Sequence, residues 1–114
     1  MGTAARPFTG EIRAARPDDY PRMAELAGQL GYPSSASDVA RRVAGLNATG
    51  EHVAFVAQLA DGTIAGWIGA FVYRCVEADA RVEISGLVVD ERFRSQTVGR
   101  FLLERAEAWA REKD

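Results

Sequence analysis

The stretch from Glu83 to Lys113 constrains the fold of this 114-residue chain most strongly. It begins with an apolar segment typical of a β-strand, continues through a basic and polar turn, and ends in a long amphipathic helix. The first N–H groups of a helix lack intrahelical partners, and the helix dipole favours negative charge at that end. Arg94 and Arg100 flank the turn. The stretch therefore predicts an anion site where a strand leads into a helix, and we expect it to hold the diphosphate of a cofactor.

Two short helices are predicted before the sheet. After a tail at residues 1–9 and a short strand at 11–15, Pro17 and its acidic neighbours start a helix that Gly31 ends. The segment Ser35–Asp38 resembles a capping box and predicts a second helix that ends near residue 47. These helices cover one face of the sheet or form one wall of a substrate cleft, and the two roles are compatible.

A three-stranded meander follows these helices. Three segments are rich in β-forming residues: 52–60, 63–74 and 81–89. Asp61-Gly62 is a strong hairpin signal between the first two segments. Gly66 and Gly69 predict a bulge or a close backbone approach. The end of the third segment, Leu87–Val89, is apolar on both faces and predicts a central position in the sheet.

Composition excludes several classes of protein. One cysteine (Cys75) and one histidine rule out a disulfide framework and a structural zinc site. A net charge of -2 and a pI near 5.4 argue against a nucleic-acid partner. No apolar run approaches the roughly 20 residues of a membrane span. We therefore expect a cytoplasmic protein that needs no metal and binds neither nucleic acid nor membrane.

The segment from Leu87 to Glu104 resembles the acetyl-CoA motif of the GNAT acetyltransferase superfamily. In that motif Arg or Gln, two residues, Gly, one residue, and Gly or Ala precede the long helix; Arg94 and Gly99 match it. Weaker matches elsewhere extend the resemblance to residues 10–114, which would form the N-terminal portion of a GNAT acetyltransferase domain after a flexible tail at 1–9. The resemblance implies an α/β (α+β) fold, with two helices, an antiparallel meander and a long helix after the central strand.

The same resemblance implies an N-acetyltransferase that moves an acetyl group from acetyl-CoA (coenzyme A) to a primary amine of a small molecule or peptide. The backbone of Leu87, Val88 and Val89 would pair with the pantetheine arm. A backbone N–H of Val88 or a neighbour is a candidate donor to the oxyanion. The cradle of the diphosphate would be formed by Arg94, Ser95, Gln96, Thr97, Val98, Gly99 and Arg100.

Two departures from the family pattern qualify this reading. Thr97 stands where the pattern has its first glycine. A negative φ would leave the Thr97 hydroxyl to cap the helix or meet a phosphate oxygen, whereas a positive φ would be costly. In addition, the family's closing strand, helix and strand, often the source of a tyrosine general acid, have no counterpart before Asp114. This is expected of a piece of a longer domain, a natural short form, or a chain whose partner supplies the strand.

Glu83 is the candidate general base, acting directly or through water, because it lies near the start of the strand that would flank the cofactor. A solvent-facing glutamate is the competing interpretation. His52 and Tyr73 are interpreted as a surface histidine and a packed aromatic residue, and the acidic turn at 77–79 as solvated. A second function therefore stays open: a non-catalytic GNAT-like module that binds a ligand or forms a homodimer through an exposed strand edge.

Overall fold

The computed structural model describes residues 8–94 and 96–113 and has a mixed α/β architecture, as predicted. The elements, in chain order, are β1 (Gly10–Ala14), α1 (Tyr20–Gln29), α2 (Ala36–Asn47), β2 (His52–Leu59), β3 (Ile64–Tyr73), β4 (Arg81–Val89) and α3 (Val98–Glu112). Short 3-10 turns at Pro17–Asp19 and Glu91–Phe93 precede α1 and α3. None of the helices in these ranges is long and apolar enough to cross a membrane.

The four strands form one antiparallel sheet in the order β1-β2-β3-β4. Within the described residues β4 is therefore an edge strand, and the prediction that Leu87–Val89 lies centrally is wrong. The segment is apolar on both faces because helices cover both faces: Val88 packs with residues of α1, whereas Leu87 and Val89 pack on the cluster that contains α3. The outer edge of β4 stays open in this part of the chain.

Local signals in the sequence explain where α2 begins and where the hairpin between β2 and β3 turns. Ser35 Oγ accepts the Asp38 N–H at 3.0 Å, and Asp38 Oδ2 accepts the Ser35 N–H at 3.0 Å, so the predicted capping box of α2 is confirmed. At the hairpin, Gly62 adopts φ +94°, a conformation that glycine reaches without strain. Asp61 Oδ1 accepts the Thr63 N–H at 2.9 Å and closes the turn.

Each face of the sheet has its own apolar core. On one face α3 buries side chains at helical spacing: Val98, Leu102, Ala106 and Trp109. On the other face Met23 and Leu26 of α1 pack against Val56 and Val88 of the sheet. Burying each large aliphatic side chain contributes about 1.5–3 kcal/mol, so the two layers hold the strands that carry the site in a fixed register.

Candidate functional site

The turn after β4 is anchored by a buried carboxylate. Asp90, only 1% exposed, accepts hydrogen bonds from the Arg92 side chain (Nη2, 2.9 Å) and the Arg92 N–H (3.0 Å), and a further bond from Arg22 Nη2 of α1. The Arg92 side chain contributes most to holding the pKa of Asp90 far below its usual range; burial opposes the shift, and Arg22 adds to it. Asp90 therefore joins α1 to the start of the predicted cofactor turn.

Thr97, the residue in place of the motif glycine, is accommodated without backbone strain. Its φ is -85°, and no non-glycine residue in the described ranges has a positive φ. Its hydroxyl does not cap α3; Oγ1 instead accepts the N–H of Phe8 at 3.0 Å. The Phe8 ring lies 5.6 Å from that of Phe101, so this part of the predicted tail contacts α3, while residues 1–7 lie outside the described chain. Of the two alternatives for Thr97, the structure has the negative φ.

The first turn of α3 faces the end of β4. A Cβ added at Gly99 would lie 3.6 Å from Val89 Cγ2, an ordinary contact, so packing against β4 would also allow an alanine at this position. Arg94 Nε donates to Val89 O at 3.1 Å, which places this guanidinium over the strand end. Arg100 Nε donates to Glu104 on the exposed side of the helix at 3.1 Å. The two arginines predicted for the cradle, Arg94 and Arg100, thus lie on either side of the turn.

Of the three other predicted cradle residues, the structure describes Gln96 and Val98. The Gln96 N–H donates to Phe93 O at 3.0 Å, so the side chain of Gln96 is the group that remains for a ligand. Ser95 lies outside the described residues. The Val98 side chain is fully buried, so only its backbone can contribute to an anion site.

The opposite face of the sheet carries a pocket whose floor is a row of small residues. Strand register aligns Ala54, Gly69 and Gly86 across β2, β3 and β4. The flanking rows are bulky: Val56–Trp67–Val88 on one side and His52–Phe71–Glu83 on the other. Because side chains on one sheet face recur every second residue, the small row leaves a depression between them. The pocket there has a volume of about 350 Å³, and α1, α2 and their connection form its walls.

A β-bulge shapes the end of this floor. Gly69 pairs with Gly86 and Ala70 with Ile84, so Ser85 is the extra residue of β4. Ser85 lines the pocket, and a Cβ added at Gly69 would lie 2.6 Å from its Oγ. A Cβ at Gly86 would lie 3.2 Å from the Trp67 ring. The predicted irregularity at Gly69 is therefore confirmed, and its reason is close approach to β4.

Glu83, the predicted base, lies in the row next to the pocket floor. Its carboxylate Oε1 accepts the Arg81 Nε–H at 2.9 Å, and it pairs in register with Phe71. His52 occupies the other end of that row, stacks on Phe71 with ring centroids 5.5 Å apart, and lines the pocket itself. The Tyr73 ring lies under the Arg81 guanidinium at 4.4 Å, as expected for a packed aromatic residue. The site thus has two candidate bases on one sheet face.

Sequence reasoning missed several pocket residues. Tyr32 and Ser34 belong to the connection between α1 and α2, and Arg42 to α2; all three line the pocket. A tyrosine within the short turn between two predicted helices is a sequence signal that could have pointed to this wall of the pocket. The partnership of Arg22 with Asp90 was also missed, although an aspartate directly after an apolar strand needs a cationic or N–H partner when buried.

Comparison with known proteins decides the family. The sequence profile described as Acetyltransferase (GNAT) family matches residues 14–114. The chain belongs to the GNAT acetyltransferase family. A comparison with curated protein sequences finds no match.

Solved GNAT structures share this fold. A GNAT family acetyltransferase of Staphylococcus aureus is 19% identical over 92% of this chain and 80% of that chain, with a TM-score of 0.77. An aminoglycoside 6'-N-acetyltransferase of Acinetobacter haemolyticus is 21% identical over 90% and 72%, with a TM-score of 0.76. A glucosamine-6-phosphate N-acetyltransferase of Arabidopsis thaliana is 24% identical over 90% and 77%, with a TM-score of 0.69. At these identities the likeness concerns the GNAT fold.

The described residues of this GNAT domain hold no cluster of three or more histidine, cysteine, aspartate or glutamate residues that could bind a metal ion. Three features of the described chain lie next to one another around β4: the cationic turn before α3, the open edge of β4 and the pocket on the α1–α2 face.

Proposed function

We propose that this GNAT domain binds acetyl-CoA along β4 and the first turn of α3 and transfers its acetyl group to a primary amine held in the pocket. The observation that carries the proposal is the position of β4. Its open edge runs from the bulge at Ser85 to the cationic turn, and its inner face forms part of the pocket floor. One strand thus connects a place for the cofactor with a place for the acceptor.

The diphosphate would lie against the first turn of α3. Helix N–H groups and positive charge favour an anion at this end. Arg94 and Arg100 supply charge on either side, and the Gln96 side chain is close in sequence. Because Thr97 Oγ1 accepts the Phe8 N–H, its own O–H remains able to donate to a phosphate oxygen. Val98 and Gly99 would contribute backbone N–H groups, and Ser95 remains a prediction.

The pantetheine arm would pair with the outer edge of Leu87–Val89. An edge strand presents unpaired N–H and C=O groups to any extended chain with amide groups. Such pairing would direct the thioester toward Ser85 and Gly86, where the pocket meets β4. The Asp90 N–H donates to Ala65 O, so the alternation of an antiparallel pair turns the Val88 N–H toward β3. A neighbour of Val88 on the open edge, such as Leu87, would therefore be the backbone N–H donor to the oxyanion.

In the transfer step, the neutral amine nitrogen attacks the acetyl carbonyl carbon, the carbon–sulfur bond breaks, and the coenzyme A thiolate leaves. The base removes one proton from the amine, and a proton returns to the thiolate to give the thiol. We assign the base to Glu83, directly or through a water molecule. His52 is the second candidate because it lines the pocket. Glu83→Gln should lower kcat by about 10²-fold or more, and His52→Gln should have a weaker effect. The reverse order would reassign the base. Glu107→Gln, at an exposed position of α3, is the control and should leave kcat unchanged.

Calorimetry with acetyl-CoA tests cofactor binding. We expect saturable heat with the parent, and an affinity for acetyl-CoA that is roughly 10- to 100-fold lower in Arg94→Gln, since a hydrogen bond to a charged group is worth roughly 1.5–3 kcal/mol. Arg111→Gln, near the other end of α3, is the matched control and should bind like the parent. No heat at millimolar acetyl-CoA would end the enzyme proposal for this chain.

The open edge of β4 supports a second function, a non-catalytic module that forms a homodimer by strand pairing. Sedimentation distinguishes the two: a dimer that binds no acetyl-CoA supports the module, and a monomer that releases coenzyme A thiol with an amine supports the enzyme.

A further inference from the structure

The pocket on the α1–α2 face has an apolar mouth. Three of the large apolar side chains that are most exposed in the described chain lie around it: Leu30 at 42%, Tyr32 at 69% and Leu46 at 43%. Trp67 forms part of the pocket wall, held by a hydrogen bond from its Nε1 to Met23 O at 3.2 Å. Exposed apolar side chains that converge on a concave surface are typical of ligand sites. The body of a ligand that fits here is therefore apolar.

The charges of the pocket have one sign. Among the described residues that line it there is no aspartate or glutamate, and Arg42 is its formally charged side chain. Arg42 Nη1 donates to Ser34 Oγ at 2.9 Å, and no carboxylate of the described chain lies within ion-pair distance of it. Asp38, one turn earlier on α2, accepts the Ser35 N–H and pairs with Arg41 at 3.5 Å, and it interacts with Arg42 only through space, outside ion-pair distance. Arg42 thus retains guanidinium donors for a ligand.

A polycationic amine has no counter-charge in such a pocket. Its additional ammonium groups would lose water beside apolar walls and an arginine, which costs free energy unless a carboxylate compensates. Glu83, in the adjacent row of the sheet, is already hydrogen-bonded to Arg81. An anionic group on the ligand, in contrast, gains a charge-assisted hydrogen bond from Arg42.

We propose that the acceptor is a monoamine with an apolar body and an anionic group that pairs with Arg42, of the chemical class of apolar amino acids, and that polyamines and aminoglycosides are excluded. This inference rests on the proposed acetyl transfer for its reaction, but it concerns what the pocket binds. Arg42 is a specificity-determining residue, and Ser34 holds its guanidinium at the mouth.

Binding can be measured without turnover through the indole N–H signal of Trp67 in nuclear magnetic resonance spectra, assigned with Trp67→Phe. The probes are L-phenylalanine, phenethylamine, which is the same amine without the carboxylate, and spermidine. Phenylalanine should shift the Trp67 signal with a Kd about tenfold below that for phenethylamine, as expected for one hydrogen bond between charged groups. Spermidine should leave the signal unchanged. Arg42→Gln should abolish most of the preference for phenylalanine, whereas Arg41→Gln, the neighbouring control, should retain it.

Acetyl transfer to the same three amines separates the two proposals. Phenylalanine that binds through Arg42 but is never acetylated supports the pocket chemistry and contradicts the enzyme function. Transfer to spermidine in preference to phenylalanine supports the enzyme and overturns the inference. An unchanged Trp67 signal with phenylalanine, or an equal loss of affinity for phenylalanine and phenethylamine in Arg42→Gln, also overturns it.

Discussion

Replacing Asp90 with asparagine should strongly destabilise the fold, because this carboxylate joins α1 to the turn after β4. The Asp90 side chain is 2% exposed, that of Arg22 is 22% exposed and that of Arg92 is 64% exposed. Removing one member of a buried ion pair costs about 3–5 kcal/mol, whereas an exposed pair is worth about 0–1 kcal/mol. Arg22 keeps Ile64 O and Glu25 as partners in the variant. We therefore expect a loss near the lower limit, about 3 kcal/mol.

Urea denaturation at neutral pH measures this loss, and thermal unfolding should show a Tm about 10–20 °C lower. Glu104→Gln, which removes an exposed i,i+4 pair with Arg100, is the control and should cost less than about 0.5 kcal/mol. A loss below about 1 kcal/mol in Asp90→Asn would refute the reasoning. If Asp90→Asn does not fold, Arg92→Ala removes only the exposed half of the network and should remain measurable.

The pH dependence gives an independent check on Asp90. Because the pKa of Asp90 is lowered in the folded state, mainly by Arg92, its ionisation stabilises the fold above the unfolded-state pKa of about 3.9. This contribution falls as the pH drops from that value through the folded-state pKa. The difference in stability between parent and Asp90→Asn should therefore be constant near neutral pH and shrink in strongly acid solution. An unchanged difference in acid would contradict the assignment.

Three further substitutions test local features. Thr97→Gly removes the acceptor for the Phe8 N–H, so it should lower the free energy of unfolding by about 1 kcal/mol and speed hydrogen exchange at Phe8. Its affinity for acetyl-CoA should not exceed that of the parent. A tenfold gain in affinity would mean that Thr97 obstructs the cofactor. Gly86→Ala places a Cβ 3.2 Å from the Trp67 ring and should cost about 1 kcal/mol while shifting the Trp67 indole signal; an unperturbed signal would contradict the tight floor of the pocket. Gly28→Ala is the matched control: in α1 the added Cβ would have no heavy atom of the described chain within 4 Å apart from its chain neighbours and the backbone of its own helix, so it should stabilise by about 0.5–1 kcal/mol.

Local features of the fold could be predicted because their signals are short in sequence. The box of Ser35 and Asp38 and the Asp61-Gly62 turn each act over a few residues, and the structure contains both. The position of β4 could not be predicted in the same way. A strand covered by helices on both faces has the same apolar pattern as a strand between two others, so Leu87–Val89 predicted a central position that the sheet order does not show.

The pocket could not be predicted from the sequence, because its residues come together only through the register of the strands. Gly69 and Gly86 are 17 residues apart in the sequence and become neighbours through the β3–β4 pairing and its bulge. Arg42 and His52 meet the same cavity from different elements. The proposed cofactor turn, by contrast, is one continuous segment, so its cationic and small residues could be singled out from the sequence, and their role in cofactor binding stays a prediction. The role of the Thr97 hydroxyl depends on Phe8, 89 residues away, and no local pattern contains that contact.

Acetyl-CoA binding is tested most directly by titration of the ¹⁵N-labelled chain with coenzyme A, followed through its backbone amide signals. The proposed site predicts saturable shifts concentrated in Leu87–Val89 and in the segment from Arg94 to Arg100, with the Arg111 amide at the far end of α3 unaffected. Shifts confined to other surfaces, or no shifts at millimolar coenzyme A, would contradict the assignment of β4 and the first turn of α3 as the cofactor site.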